Sequence, residues 1–164
     1  ILHRASDLCL ILNASVNAYR RLDPAYEAPN QIKASANDRS SMIRIPFANE
    51  KTARIEVRSV APDANPYLVA FALLKTGLDG KPPRVDTSKR PRIRVLPDSI
   101  HDAIRIYKTS DYTSRLLGED CKQKYLAPKQ AVANRSALEL GTRIKSEEII
   151  HHHEVTNQFL WNSF

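Results

Sequence analysis

The sequence predicts an α+β fold: a few antiparallel strands that carry an Arg/Glu face, helices covering their other side, and a helical C-terminal region. Three observations predict it. Residues 41–46 and 53–59 are short runs in which branched apolar residues alternate with charged ones, the period of a half-buried strand. The stretch RSVAPDANPYLVAFALLKTGLDG then changes period, placing Tyr67, Phe71, Leu74 and Leu78 at helical spacing. Beyond about residue 97, capping residues and helical spacing recur.

The elements follow in order. Ile1, Ala5, Leu8 and Leu12 fall on one face of a helix that begins at the first residue, uncapped and without methionine. A helix already amphipathic at residue 1 reads as the continuation of something upstream, so the chain is expected to be the C-terminal part of a longer protein. Residues 13–31 are punctuated by Asn13, Asn17, Asp23, Pro24, Pro29 and Asn30 and read as loop, with a short helix in ASVNAYRRL. A short strand is expected within 32–38. The turn-like FANEK joins the two strands at 41–46 and 53–59. Asp63 is the expected N-cap of the next helix, with Pro66 in its first turn and Gly77 and Gly80 at its end. Residues 81–97 form a Pro- and Arg-rich basic linker, which divides the chain into an active-site half at 1–80 and a helical region at 98–164. In that region Pro97-Asp98-Ser99 opens a helix with Ile100, Ala103, Ile104 and Tyr107 on one face. Ser110 caps a short helix ending at Gly118. A further helix runs from 119 to about 140 with Pro128 as a break, and Ser146 opens the last.

A chain of 164 residues with 42% hydrophobic and 26% charged residues suits one globular domain. No apolar run approaches the roughly 20 residues a membrane-spanning helix needs, and no signal peptide is visible. Two cysteines without a CxxC spacing make a reducing cytoplasm the default expectation. The net charge of +7 favours anionic partners. Residues 81–94 hold six basic residues against one acid, Asp86, which reads as a solvated linker or a contact for an anion.

Three stretches carry candidate chemistry. In RIEVR, Arg54, Glu56 and Arg58 share one strand face while Ile55 and Val57 take the other. Such a face is either solvated or the floor of a charged site, where a carboxylate suits Mg²⁺ or Mn²⁺ and guanidinium groups suit carboxylate or phosphate. In NDRSSMIRIP, Arg39 and Arg44 could straddle a polyphosphate or simply lie on the surface. In ASVNAYRRLDPAYEAP, Arg21 and Glu27 lie on a loop stiffened by prolines, where a glutamate could serve as a general base or remain a surface acid. His151, His152 and His153 do not share a helical face and do not suit one metal ion.

Taken together, VNAYRRLDPAYEAP, then SANDRSSMIRIP, then KTARIEVRSVAPDANPYLVAFALLKTGLDG resemble the C-terminal part of the glutamine synthetase catalytic domain. The likeness is nearly continuous from Ile1 to Gly80. HEVTNQFLWNSF stands more loosely in the place of the family's closing helix. The resemblance implies a glutamine synthetase-like α+β fold and ATP-dependent ligation of ammonia to glutamate through a γ-glutamyl phosphate. It implies that Arg21 and Arg58 bind the substrate glutamate. Glu27, on a flap, helps deprotonate ammonium. Arg39 stabilises the transferring phosphoryl group, Arg44 and Lys51 contact nucleotide along with Arg39, and Glu56 is a ligand to Mg²⁺ or Mn²⁺. It also implies a homo-oligomeric ring with active sites between subunits. The family's other metal ligands and its glycine-rich glutamate loop are expected before Ile1, so this segment alone is expected to be inactive.

Two departures qualify the likeness. The family usually has arginine at the place of Asn37, where this chain reads Asn37-Asp38. No tyrosine lies in an adenylylation-type loop. Three other readings therefore stand beside the ammonia ligase: a ligase joining glutamate to another amine, a non-catalytic structural relative, and a basic nucleic-acid binder resting only on net charge and residues 81–94.

Overall fold

The computed structural model describes residues 1–22, 28–80 and 92–134. The expectations for Glu27, for most of the basic linker and for the segments after residue 134, including His151 to His153, lie outside the described residues.

A 3₁₀ turn at Leu2–Arg4 leads into helix α1, Ala5–Leu12. Its sequence, ASDLCLIL, is apolar on nearly every side after Asp7, and Ala5, Leu8, Cys9, Leu10, Ile11 and Leu12 are all buried. Such a helix belongs at the centre of a core rather than on its surface. Helix α2, Val16–Arg21, starts where the Ser15 hydroxyl accepts from the Ala18 amide at 3.3 Å.

Strands β1 (Gln31–Ser35), β2 (Ser41–Arg44) and β3 (Glu56–Val57) form a sheet in the order β1-β2-β3. The expected antiparallel arrangement holds for β2 and β3, which pair Ile43 with Val57 and Arg44 with Glu56. It fails for β1 and β2, which are parallel, with Gln31 beside Ser41 and Ser35 beside Arg44. The cause is the link at 36–40. It runs back along β1, a distance of roughly 13 Å at the usual strand rise and within reach of five residues, so β2 sets off in the direction of β1. The Asp38 carboxylate holds this return by accepting from the Ser40 amide at 2.9 Å and the Ser40 hydroxyl at 2.6 Å. On the other edge of β1, the Ile32 amide donates to the Arg94 carbonyl and the Leu96 amide to the Asn30 carbonyl, each at 2.8 Å. The end of the expected linker is thus tied to the sheet. The strand expected over 53–59 narrows to Glu56–Val57, although the Arg58 amide still donates to the Met42 carbonyl at 2.9 Å.

Helix α3, Pro66–Asp79, is capped by Asn65, not by the expected Asp63. Asn65 Oδ1 accepts from the amides of Tyr67 (3.0 Å) and Leu68 (3.2 Å). The reason is Pro66: its fixed φ suits the first helical position, which leaves the residue directly before it to cap. Gly77 stays within the helix and Gly80 closes it. The helix buries its small side, Ala72 and Thr76, toward α1. Tyr67, Phe71, Leu74 and Leu78 form an outward stripe, 86%, 46%, 63% and 83% exposed.

Helix α4, Ile100–Thr109, begins at Ser99 and buries Ile100, Ala103, Ile104 and Tyr107, the face read from the sequence. Helix α5, Asp111–Leu117, is capped by Ser110 and ends at Gly118, whose φ of +77° suits a residue without Cβ. Helix α6, Glu119–Ala133, passes through Pro128 without the expected break. Pro128 and Lys124 are both on the solvent side, so water can take the Lys124 carbonyl that proline leaves without a donor. The core is built around α1, with α4, α3 and α5 against it. Tyr125 of α6 reaches in to donate to the Leu10 carbonyl at 3.0 Å. Lys122, also on α6, is buried and donates to the Ser110 carbonyl and the Ser114 hydroxyl, each at 2.9 Å.

Candidate active site

Arg21, Arg39, Arg44, Glu56 and Arg58, drawn from the three stretches, meet at one end of the sheet. Arg44 and Glu56 are register partners on β2 and β3, and Arg44 Nη1 lies 3.2 Å from Glu56 Oε2. Arg54 approaches the other carboxylate oxygen, with Nε 2.9 Å from Oε1. Partial desolvation pushes the Glu56 carboxyl up, but the Arg54 and Arg44 guanidinium groups together outweigh it and hold the group below the usual carboxylate range. Glu56 therefore stands ionised between two cations, as an alternating strand face allows.

Three arginines also grip backbone. Arg21, at the end of α2, donates from Nη2 to the Ser59 carbonyl at 2.9 Å and from Nη1 to the Arg58 carbonyl at 3.4 Å. Burial lowers its affinity for its proton, with Asp63 opposing the shift. Arg58 donates from Nη1 to the Arg39 carbonyl at 2.7 Å. Arg44 donates from Nε to the Ala36 carbonyl at 3.3 Å. The Arg58 and Arg44 contacts lie at a cavity of about 350 Å³ lined by Ala36, Asn37, Asp38, Arg39, Arg44 and Arg58. Guanidinium groups gathered at one cavity favour a carboxylate or phosphate occupant.

Asn37-Asp38 lies on the wall of that cavity. Lys33 of β1 holds Asp38 at 2.5 Å, and this contact, with those from Ser40, lowers the Asp38 carboxyl to about 2. The negative charge beside Arg39 is thus shared with a neighbouring lysine.

On the opposite face, Ile43, Ile45 and Ile55 line a groove of about 960 Å³ that Arg4, Lys75, Asp79, Arg94 and Arg115 also border. The division of side chains read from RIEVR, charged to one side and apolar to the other, is the one the strands adopt.

Of the residues singled out in the sequence, Arg21, Arg39, Arg44, Glu56 and Arg58 come together. Lys51 lies apart, on an exposed turn held by the Asn49 side chain, and is not among the cavity's lining residues. Two partners were missed. Arg54 as the second cation on Glu56 was foreshadowed by its i, i+2 position on the strand. Lys33 as the partner of Asp38 carried no signal, because the parallel pairing that brings β1 beside the turn was not foreseen. Among the described residues no three His, Cys, Asp or Glu side chains gather. With Glu56 already paired to two arginines, the described residues do not by themselves suit a divalent ion. No helix among them is long and apolar enough to cross a membrane.

Comparison with known proteins bears on this geometry. Residues 1–142 match the family model for the glutamine synthetase catalytic domain. Glutamine synthetase of Thermotoga maritima is 36% identical over 164 residues, covering 91% of this chain and 36% of that protein. Those of Methanosarcina mazei and Clostridium saccharobutylicum are 36% and 32% identical, covering 79% and 80% of this chain and 32% and 33% of their own lengths. The chain spans about a third of the length of the curated relatives it matches. With a family model covering most of its residues, relatives at 32–36% identity, and Arg21, Arg39, Arg44, Glu56 and Arg58 of the three motifs brought together, the chain belongs to the glutamine synthetase family.

Proposed function

We propose that this chain is part of an ATP-dependent ligase that joins ammonia to the side-chain carboxylate of glutamate. The observation that carries the reading is the gathering of Arg21, Arg39, Arg44, Glu56 and Arg58, from three separate stretches, at one end of the sheet.

The chemistry explains the choice of residues. The γ-phosphoryl of ATP passes to the glutamate carboxylate, giving γ-glutamyl phosphate and ADP. Two anions must be brought together, and charge spreads over the transferring oxygens, so fixed guanidinium groups stabilise the transition state. In this reading Arg58 and Arg21 hold glutamate, Arg39 faces the transferring phosphoryl group, and Arg44 and Lys51 serve the nucleotide. Ammonia then attacks the acyl phosphate, releasing phosphate and forming glutamine. Ammonium must first lose a proton, the role assigned to Glu27. Glu56 is the carboxylate that this reading would have a Mg²⁺ or Mn²⁺ ion share, with its further ligands coming from outside the described residues.

The test is ADP release by the full-length gene product. Release that requires both glutamate and ammonium is expected. Release independent of either substrate, or none with Mg²⁺ and Mn²⁺ both supplied, overturns the reading. Replacing ammonium with ethanolamine or a polyamine separates the ammonia ligase from a ligase for another amine.

A further inference from the structure

An acid stands among arginines on the wall of the candidate site's cavity. Among the described residues the lining holds Arg39, Arg44 and Arg58 and one carboxylate, Asp38. A carboxylate there competes with any anionic occupant, because each guanidinium favours it in the same way. Yet both Asp38 oxygens are engaged by residues outside the lining. Oδ1 accepts from the Ser40 amide and hydroxyl, and Oδ2 lies 2.5 Å from Lys33 Nζ. Lys33 reaches it because the parallel pairing of β1 and β2 turns residues 36–40 back along β1.

Scaffolding does not account for the pair. The backbone of the turn is held without Lys33. Ser35 Oγ accepts from the amides of Asn37 (3.3 Å) and Asp38 (3.1 Å), and Arg44 and Arg58 donate to the Ala36 and Arg39 carbonyls. The side chains of Lys33 and Asp38 are 40% and 43% exposed, where an ion pair adds little to stability. What Lys33 supplies is charge. Asp38 stays ionised, its carboxyl lowered to about 2, and the lysine makes the pair neutral as a unit.

We propose that Lys33 is a positioning residue for this cavity: it keeps the Asp38 carboxylate from turning on the three guanidinium groups, so that the wall presents net positive charge to a phosphate-bearing occupant. Lys33 is not among the lining residues and acts through Asp38. That the occupant is the phosphate chain of a nucleotide rests on the ligase reading; the relation between Lys33 and Asp38 does not.

The probe is inorganic tripolyphosphate, its binding to the full-length gene product measured by calorimetry at about 0.05 M and about 0.5 M salt. Lys33→Met is expected to weaken binding about tenfold at the lower salt and about twofold at the higher, as an unpaired charge near a multiply charged anion should. Lys33→Arg keeps the charge and is expected to bind within about twofold of the parent protein. Asp38→Asn added to Lys33→Met removes the acid, keeps an acceptor for Ser40, and is expected to bring binding back to within about twofold.

Unchanged binding in Lys33→Met overturns the proposal. So does a loss that Asp38→Asn does not repair, since Lys33 would then act on the anion or on the fold directly. Failure of Lys33→Met to fold assigns the lysine to the scaffold and overturns it as well, and so does the absence of tripolyphosphate binding by the parent protein. Binding that follows the expected pattern, with ADP release that does not require glutamate and ammonium, overturns the ligase reading and leaves the role of Lys33 standing.

Discussion

Arg44 and Glu56 are partners twice over: they face each other in the β2–β3 register, and Arg44 Nη1 lies 3.2 Å from Glu56 Oε2. Arg54 takes the other oxygen at 2.9 Å. The pair is partly exposed, so water and salt screen it and its weight in folding is small. Glu56→Gln is therefore expected to leave the midpoint of thermal unfolding nearly unchanged while reducing glutamate-dependent ADP release by about a hundredfold or more. Equal losses of stability and turnover would assign Glu56 to the scaffold.

Asp38 supplies a prediction in pH. Its contacts with Lys33 and Ser40 hold its folded carboxyl at about 2, below the roughly 3.9 of an unfolded aspartate. A depressed folded value means that the contribution is complete above the unfolded value and is lost as pH falls through the folded one. The stability difference between the parent chain and Asp38→Asn should thus be constant from pH 5 to 8 and shrink between about pH 4 and 2. Chemical denaturation at each pH measures it, and a difference that persists unchanged at pH 2 would contradict the assignment.

Lys122 offers a structural counterpart. Its ammonium is buried and ties α6 to the Ser110 carbonyl and the Ser114 hydroxyl. Lys122→Met keeps the stem's packing and removes the donor, leaving the Ser110 carbonyl without it. A loss of about 1–3 kcal/mol in urea unfolding is expected, and a loss below about 0.5 kcal/mol would show the bond to be dispensable.

The two cysteines should react unequally. Cys121 is exposed, whereas Cys9 is buried in α1 and burial pushes its thiol up to about 12. One equivalent of a thiol reagent should be consumed quickly at pH 8 and the second only in denaturant. Two fast equivalents would mean that α1 opens.

Much of the fold is legible residue by residue. Ser99 and Ser110 announce their helices because a hydroxyl before an amphipathic run satisfies amides at the helix start. The alternation of Arg54, Ile55, Glu56, Val57 and Arg58 gives the two faces of the strand because the period of two is geometric. What escapes local reading depends on partners distant in sequence or on solvent. The parallel direction of β2 is set by where the link at 36–40 lands. Pro128 is tolerated because its face of α6 meets water. The grip of Arg21 on carbonyls 37 and 38 residues away has no periodicity to betray it. The meeting of five charged residues was legible only as a resemblance between three motifs, since no single motif implies the others.

The outward stripe of α3 affects how the polypeptide behaves in the test tube. Four large apolar side chains over about three turns give the surface an adhesive ridge about 17 Å long. Kosmotropic salts such as ammonium sulfate, which strengthen apolar burial, would drive such ridges together. Dilute preparations in low salt will keep the chains dispersed, whereas concentrating them with sulfate will yield particles whose size grows with protein load.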